Sequence, residues 1–119
     1  MVIVKMTEEQ ANVVLKALDL YSRLHLGQFR EIQTIWQTNY LWAKETLKEL
    51  KKQLTGLEEN EYHSICAEYV SQNAKIAYDI LQTIRHRMAW DKNPNGGLTV
   101  DYDEPLNVSN LPLPEVKSE

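Results

Sequence analysis

Arg23, Arg30, Arg85, His86, Arg87 and Trp90 are the side chains of this sequence best suited to hold a small anion. Only four of its thirteen cationic residues are arginines, and they fall in two clusters, 23–30 and 85–87. A guanidinium offers a planar fork that matches carboxylate and phosphate oxygens, where lysine offers a point charge. An indole beside it can stack on a base or hold a cation over its face. Together these residue types fit a nucleotide. The plainer alternative is that cations settle in the last turn of a helix, where the macrodipole favours them by about 0.3–1 kcal/mol.

The stretch TIRHRMAWDKNPNGG, residues 83–97, concentrates the question. If Ile80, Leu81, Ile84 and Met88 mark the core direction of a helix, Arg85 and Arg87 flank that core on opposite sides. Asp79, Thr83, His86 and Trp90 then form an outward stripe. An outward tryptophan needs a partner. It stacks on a ligand, or it folds back over the helices beneath the turn made by Asn93, Pro94, Asn95, Gly96 and Gly97.

Other candidate chemistry is sparse. His63 and Cys66 stand three apart, half of a metal site, but a second cysteine is missing and a buried structural thiol is the expected role of Cys66. Asp101, Asp103 and Glu104 form an acidic cluster that reads as a solvated loop. The sequence has no Gly-rich phosphate loop, no Gly-x-Ser-x-Gly and no His-Glu-x-x-His. It calls for no enzyme activity, no metal and no cofactor.

The elements that would position the arginines are mostly helices. Val2–Met6 is β-branched and reads as a short strand. Thr7 and Gln10 form a capping box for a first helix through residues 11–26. Gly27 costs about 1 kcal/mol inside a helix and is expected to break it. Apolar residues then recur from Phe29 through Trp36, Tyr40 and Leu47 to Leu54, predicting a second long helix that stops at Gly56. A third is expected from residue 57 to about residue 91, on the stripe Tyr62, Ile65, Tyr69, Ile76, Ala77, Ile80, Leu81, Ile84 and Met88. LTVDY, residues 98–102, alternates like a second strand. The expected fold is therefore mostly α: a long antiparallel helical hairpin, a shorter N-terminal helix, and a minor two-stranded β element from the chain ends. Residues 1–106 make one helical domain and 107–119 an extended tail. In that hairpin the two arginine clusters converge at one end of the bundle.

Composition sets the outer limits. A chain of 119 residues is one domain by size. Its net charge of −4 argues against bulk nucleic acid as a partner, because displacing counterions from phosphates needs a basic surplus. The single cysteine fits a reducing cytosol, and no apolar run approaches the ~20 residues of a membrane span. Six tyrosines and two long apolar stripes exceed what one short helix covers, so a homo-oligomer is expected.

Two segments, LDLYSRLHLGQFREI (18–32) and IRHRMAWDKNPNGGLTVDYDEPL (84–106), resemble small accessory proteins of tailed bacteriophages, few of them with a known activity. The resemblance covers about a third of the chain and implies a viral protein acting in the bacterial cytoplasm. Its expected role is non-catalytic counter-defence: sequestration of a small anionic ligand such as a nucleotide immune signal. The alternative is a protein-binding inhibitor of a host defence or regulatory protein. On the ligand alternative, charge-assisted bonds are each worth about 1.5–3 kcal/mol. Arg85→Ala, Arg87→Ala and Trp90→Ala are then each expected to weaken nucleotide binding at least about tenfold by calorimetry, with the thermal midpoint little changed.

Overall fold

The computed structural model describes residues 1–37 and 40–119. Four helices follow in order: α1 Glu8–His25, α2 Glu31–Trp36, α3 Leu41–Thr55 and α4 Gln72–Lys92, with a 3-10 turn at Val100–Tyr102. The capping box forms at the start of α1. Gln10 N–H donates to Thr7 Oγ1 at 3.1 Å, and Thr7 N–H donates to Gln10 Oε1 at 2.9 Å.

The body of the molecule is α1 against α4. Small residues sit at this contact: Ala11 and Ser22 on α1, Ala74 and Ala77 on α4, all buried. Small side chains let two helix axes approach closely. Ser22 Oγ donates to the Ala74 carbonyl at 3.3 Å, so the end of α1 lies against the start of α4. Arg85, eleven residues further along α4, shares a groove with Asn12 and Leu15 of α1. The pair is therefore antiparallel. Leu81 and Ile84 complete the buried face of α4, and Leu26, Val70 and Ala74 close a cluster at the far end with Ile65 and Ala67 packed on it.

Between α1 and α4 the chain makes an arm. Gly27, at φ +88°, reverses it. Any Cβ there would stand 2.9 Å from Leu57 Cδ1. The arm carries α2 and α3. Gln37, with a left-handed φ of 53°, ends α2. Gly56 ends α3 in the same left-handed region. Lys51 ties the arm together. Its stem is buried, and its ammonium donates to the carbonyl of Glu59 at 2.9 Å and also to that of Glu61. Beside it, the Lys52 ammonium meets Glu58 at 2.8 Å. That hydrogen bond and charge hold the Glu58 carboxyl below the usual range and raise Lys52.

The expected architecture needs correcting in two places. First, the described residues contain no strand and no sheet. Residues 1–7 precede α1 without joining any ladder. Residues 98–102 bend into the 3-10 turn, and the carbonyls of Asp101 and Tyr102 are taken by His86 and Trp90 rather than by a neighbouring strand. Second, the long hairpin is absent. The expected second helix breaks at Gln37, and the expected third begins only at Gln72. Residues 57–71 are turns in which Ser64 Oγ accepts from Cys66 N–H and Ser71 Oγ from Asn73 N–H. Such local bonds compete with helix formation. The stripe of Tyr62, Ile65 and Tyr69 has helical spacing without a helix.

Gly27→Ala tests the reversal. A β-carbon at positive φ costs about 1–2 kcal/mol, and the approach of Leu57 adds to it. Urea unfolding should show a lower midpoint with an unchanged slope.

Candidate functional site

The outward stripe of α4 is the candidate site, and the chain's own tail occupies it. Asp79 is 2% exposed. Its carboxylate accepts from Val108 N–H at 2.9 Å, Ser109 N–H at 3.1 Å and Asn107 Nδ2 at 2.9 Å. Two turns along, His86 Nδ1–H donates to the Asp101 carbonyl at 2.9 Å. One turn further, Trp90 Nε1–H donates to the Tyr102 carbonyl at 3.1 Å. The Tyr102 ring stands edge-on to the indole, with centroids 5.4 Å apart.

Trp90 lies beneath the Gly-Gly turn. A Cβ on Gly96 would stand 3.1 Å from Trp90 Cη2, and one on Gly97 would collide with the Tyr102 ring. Only glycine lets the turn lie so close to the rings. The positive φ of Gly96, 84°, favours it as well.

The arginines do not converge. Arg23 lies in the last turn of α1, where that helix meets the start of α4, and Arg30 stands at the start of α2 on the arm. Arg85 stands eleven residues beyond Ala74, about 16 Å along the axis. Each cluster has its own carboxylates. Arg23 Nε lies 3.0 Å from both oxygens of Asp19, and its Nη1 reaches Gln28 Oε1 at 2.9 Å and Glu31 Oε1 at 3.8 Å. Arg87 pairs with Asp91 at 2.9 Å, and Arg85 Nε stands 3.9 Å from Asp101 Oδ1. These half-exposed pairs add little stability, about 0–1 kcal/mol each. They do neutralise the charge that an incoming phosphate would seek.

Two concavities among the described residues include candidate arginines. A groove of about 280 Å³ runs between the body helices, lined by Asn12, Leu15, Lys16, Asp19 and Arg85. Asp19 puts a carboxylate in it. A cleft of about 190 Å³ lies between α2, α3 and the turns after α3, with Phe29, Arg30, Leu47, Lys48 and Tyr62 in its lining. Arg30 is exposed there. Ordinary ligand pockets enclose roughly 300–1,000 Å³. The cleft is smaller, and Glu31, Glu59 and Glu61 line it too. Neither space suits a nucleotide.

The remaining candidates stand apart. His63 lies in the turns before α4 with its ring edge-on to Tyr69, and Cys66 is an exposed free thiol rather than a buried one. Among the described residues no group of three or more His, Cys, Asp or Glu is placed to hold a metal ion. No helix of the described residues is long and apolar enough to cross a membrane.

Sequence reasoning misses the arm's surface. Trp36 and Tyr40 belong to the apolar stripe of the expected second helix, yet both are largely exposed. Ile35, Leu41 and Trp42 are exposed as well, and the Tyr40 and Trp42 rings stack at 5.8 Å. The available signal is charge. Residues 32–43 contain no Asp, Glu, Lys, Arg or His.

The tail contacts change what substitutions at this face should do. Asp79→Ala removes an acceptor from two backbone amides and one side-chain amide. Leaving such groups unmet costs about 1–3 kcal/mol each at buried positions. The thermal midpoint should fall, and amide exchange at Val108 and Ser109 should quicken. Trp90→Ala should also lower the midpoint and expose residues 96–102 to protease, because the indole holds the turn. An unchanged midpoint in both variants would show that the tail does not depend on this face.

Comparison with protein-family models, with curated proteins and with solved structures finds no match to this chain.

Proposed function

We propose that this chain is a non-catalytic accessory protein that acts by protein contact, as an inhibitor-type binder of a host defence or regulatory protein. The observation that carries this is the state of the candidate anion-binding groups. Of Arg23, Arg30, Arg85, His86, Arg87 and Trp90, all but Arg30 are engaged by carboxylates or carbonyls of the same chain. An anion site needs donors aimed outward and free to bind. The exposed surface also favours a macromolecular partner, since large apolar side chains stand uncovered on the arm and at residues 1–4. If the resemblance to phage accessory proteins holds, that partner would be a protein of the infected cell.

Native mass spectrometry on the chain purified from phage-infected cells, with calorimetry against cyclic and linear nucleotides, tests this. The expected outcome is a bound host polypeptide in fixed proportion and no heat with any nucleotide. A nucleotide-sized adduct that disappears in Arg85→Ala or Arg87→Ala would instead support sequestration of a signal nucleotide.

A further inference from the structure

The arm gathers positive charge in a chain whose net charge is −4. Helix α3 carries four lysines and two glutamates. Three of those lysines, Lys44, Lys48 and Lys51, line the cleft of about 190 Å³ together with Arg30. The carboxylates of the same lining are already engaged. Glu59 pairs with Lys44 at 3.7 Å, and Glu31 with Arg23 at 3.8 Å. Glu61 Oε1 accepts from Glu58 N–H at 2.9 Å. Arg30, Lys48 and Lys51 are left without an ion pair among the described residues. Lys48 acts on Glu58 only at longer range, and Glu58 is held by Lys52 at 2.8 Å.

Lys51 is the decisive group. The residue is only 4% exposed. An ammonium has three N–H donors. Two are taken by the carbonyls of Glu59 and Glu61, and the third has no acceptor among the described residues. This withdrawn charge is met by dipoles and by no counter-charge. A charge in that state gains most from an anion brought to it. The cleft also has an apolar side, made by Phe29, Leu47 and Tyr62. Its volume lies below the roughly 300–1,000 Å³ of ordinary ligand pockets, so it suits a side chain and its neighbour rather than a whole cofactor.

We propose that this cleft receives an acidic residue, flanked by an apolar one, from a partner polypeptide. The carboxylate meets Arg30, Lys48 and Lys51, and the apolar neighbour lies against Phe29 and Tyr62. This rests on the protein-contact reading above and gives that contact its place and its charge. Arg30, exposed at the start of α2, supplies the planar fork that a carboxylate fits. Of the four arginines, it alone makes no ion pair among the described residues.

NMR titration of the full chain with the capped dipeptide acetyl-Glu-Phe amide tests the site, with acetyl-Gln-Phe amide as its uncharged twin. Backbone amide signals of Phe29, Arg30, Lys48 and Tyr62 should shift with the first peptide and stay in place with the second. Arg30→Gln with Lys48→Gln should weaken binding of the first by about tenfold or more, as charge-assisted bonds are lost. Helical circular dichroism should not change, because both side chains are exposed. No shifts at these residues, equal shifts with the uncharged peptide, or a double variant that binds as the wild type does would each overturn the site. The host polypeptide expected in native mass spectrometry separates the two readings. Its loss from the double variant supports the cleft. Its retention overturns the cleft and leaves the protein-contact reading standing. Peptide binding by a chain that captures no host polypeptide supports the chemistry of the cleft and overturns the contact with a host protein.

Discussion

A carboxylate removed from water must be met by hydrogen-bond donors, and Asp79 meets that demand with a segment 28 to 30 residues further along the chain. Isolated, such a group would be costly to bury. Surrounded by two backbone amides and an asparagine side chain, it becomes an anchor. The position of the tail follows from it. Once Asn107, Val108 and Ser109 are held, the preceding residues must run along α4, and His86 and Trp90 stand ready with donors for the carbonyls of Asp101 and Tyr102. Helix α4 thus has two committed faces, one apolar against α1 and one polar against the tail.

This double commitment explains why a helical wheel drawn from the sequence places the right residues on the right face and leads to the wrong consequence. Asp79, His86 and Trp90 do point away from the apolar side of α4. In a helix with one buried face that means solvent. Here it means a second packing layer made of irregular chain, which has no periodicity to announce itself. The fold of Trp90 under the Gly-Gly turn is legible as an alternative, because glycines at 96 and 97 permit close approach to an indole.

Local chemistry is legible in this sequence and long-range pairing is not. The capping box of Thr7 and Gln10, the reversal at Gly27 and the stop at Gly56 all depend on a few neighbouring residues, and each appears where the residue types put it. The hairpin depends on reading Tyr62, Ile65 and Tyr69 as a continuation of α4, and serines at 64 and 71 turn the chain instead. The arginine site rests in turn on that hairpin. With α1, rather than the arm, lying beside α4, the two clusters fall at different levels of the body. Each then finds acids within its own neighbourhood.

The arm leaves the body and returns to it at one point. Leu26, its last residue before the reversal, and Val70, just ahead of α4, belong to the same buried cluster, and His63 N–H donates to the Leu26 carbonyl at 2.9 Å. Everything between is topologically an insertion into a two-helix body, though Ile65 and Ala67 still pack on its buried cluster and Glu31 still meets Arg23. Closing a loop of different length between two such neighbouring points changes the entropy only slowly with length. The length of the arm therefore weighs little on the body, and what the arm gives it is local: the apolar cover of Ile65 and Ala67 and the carboxylate of Glu31.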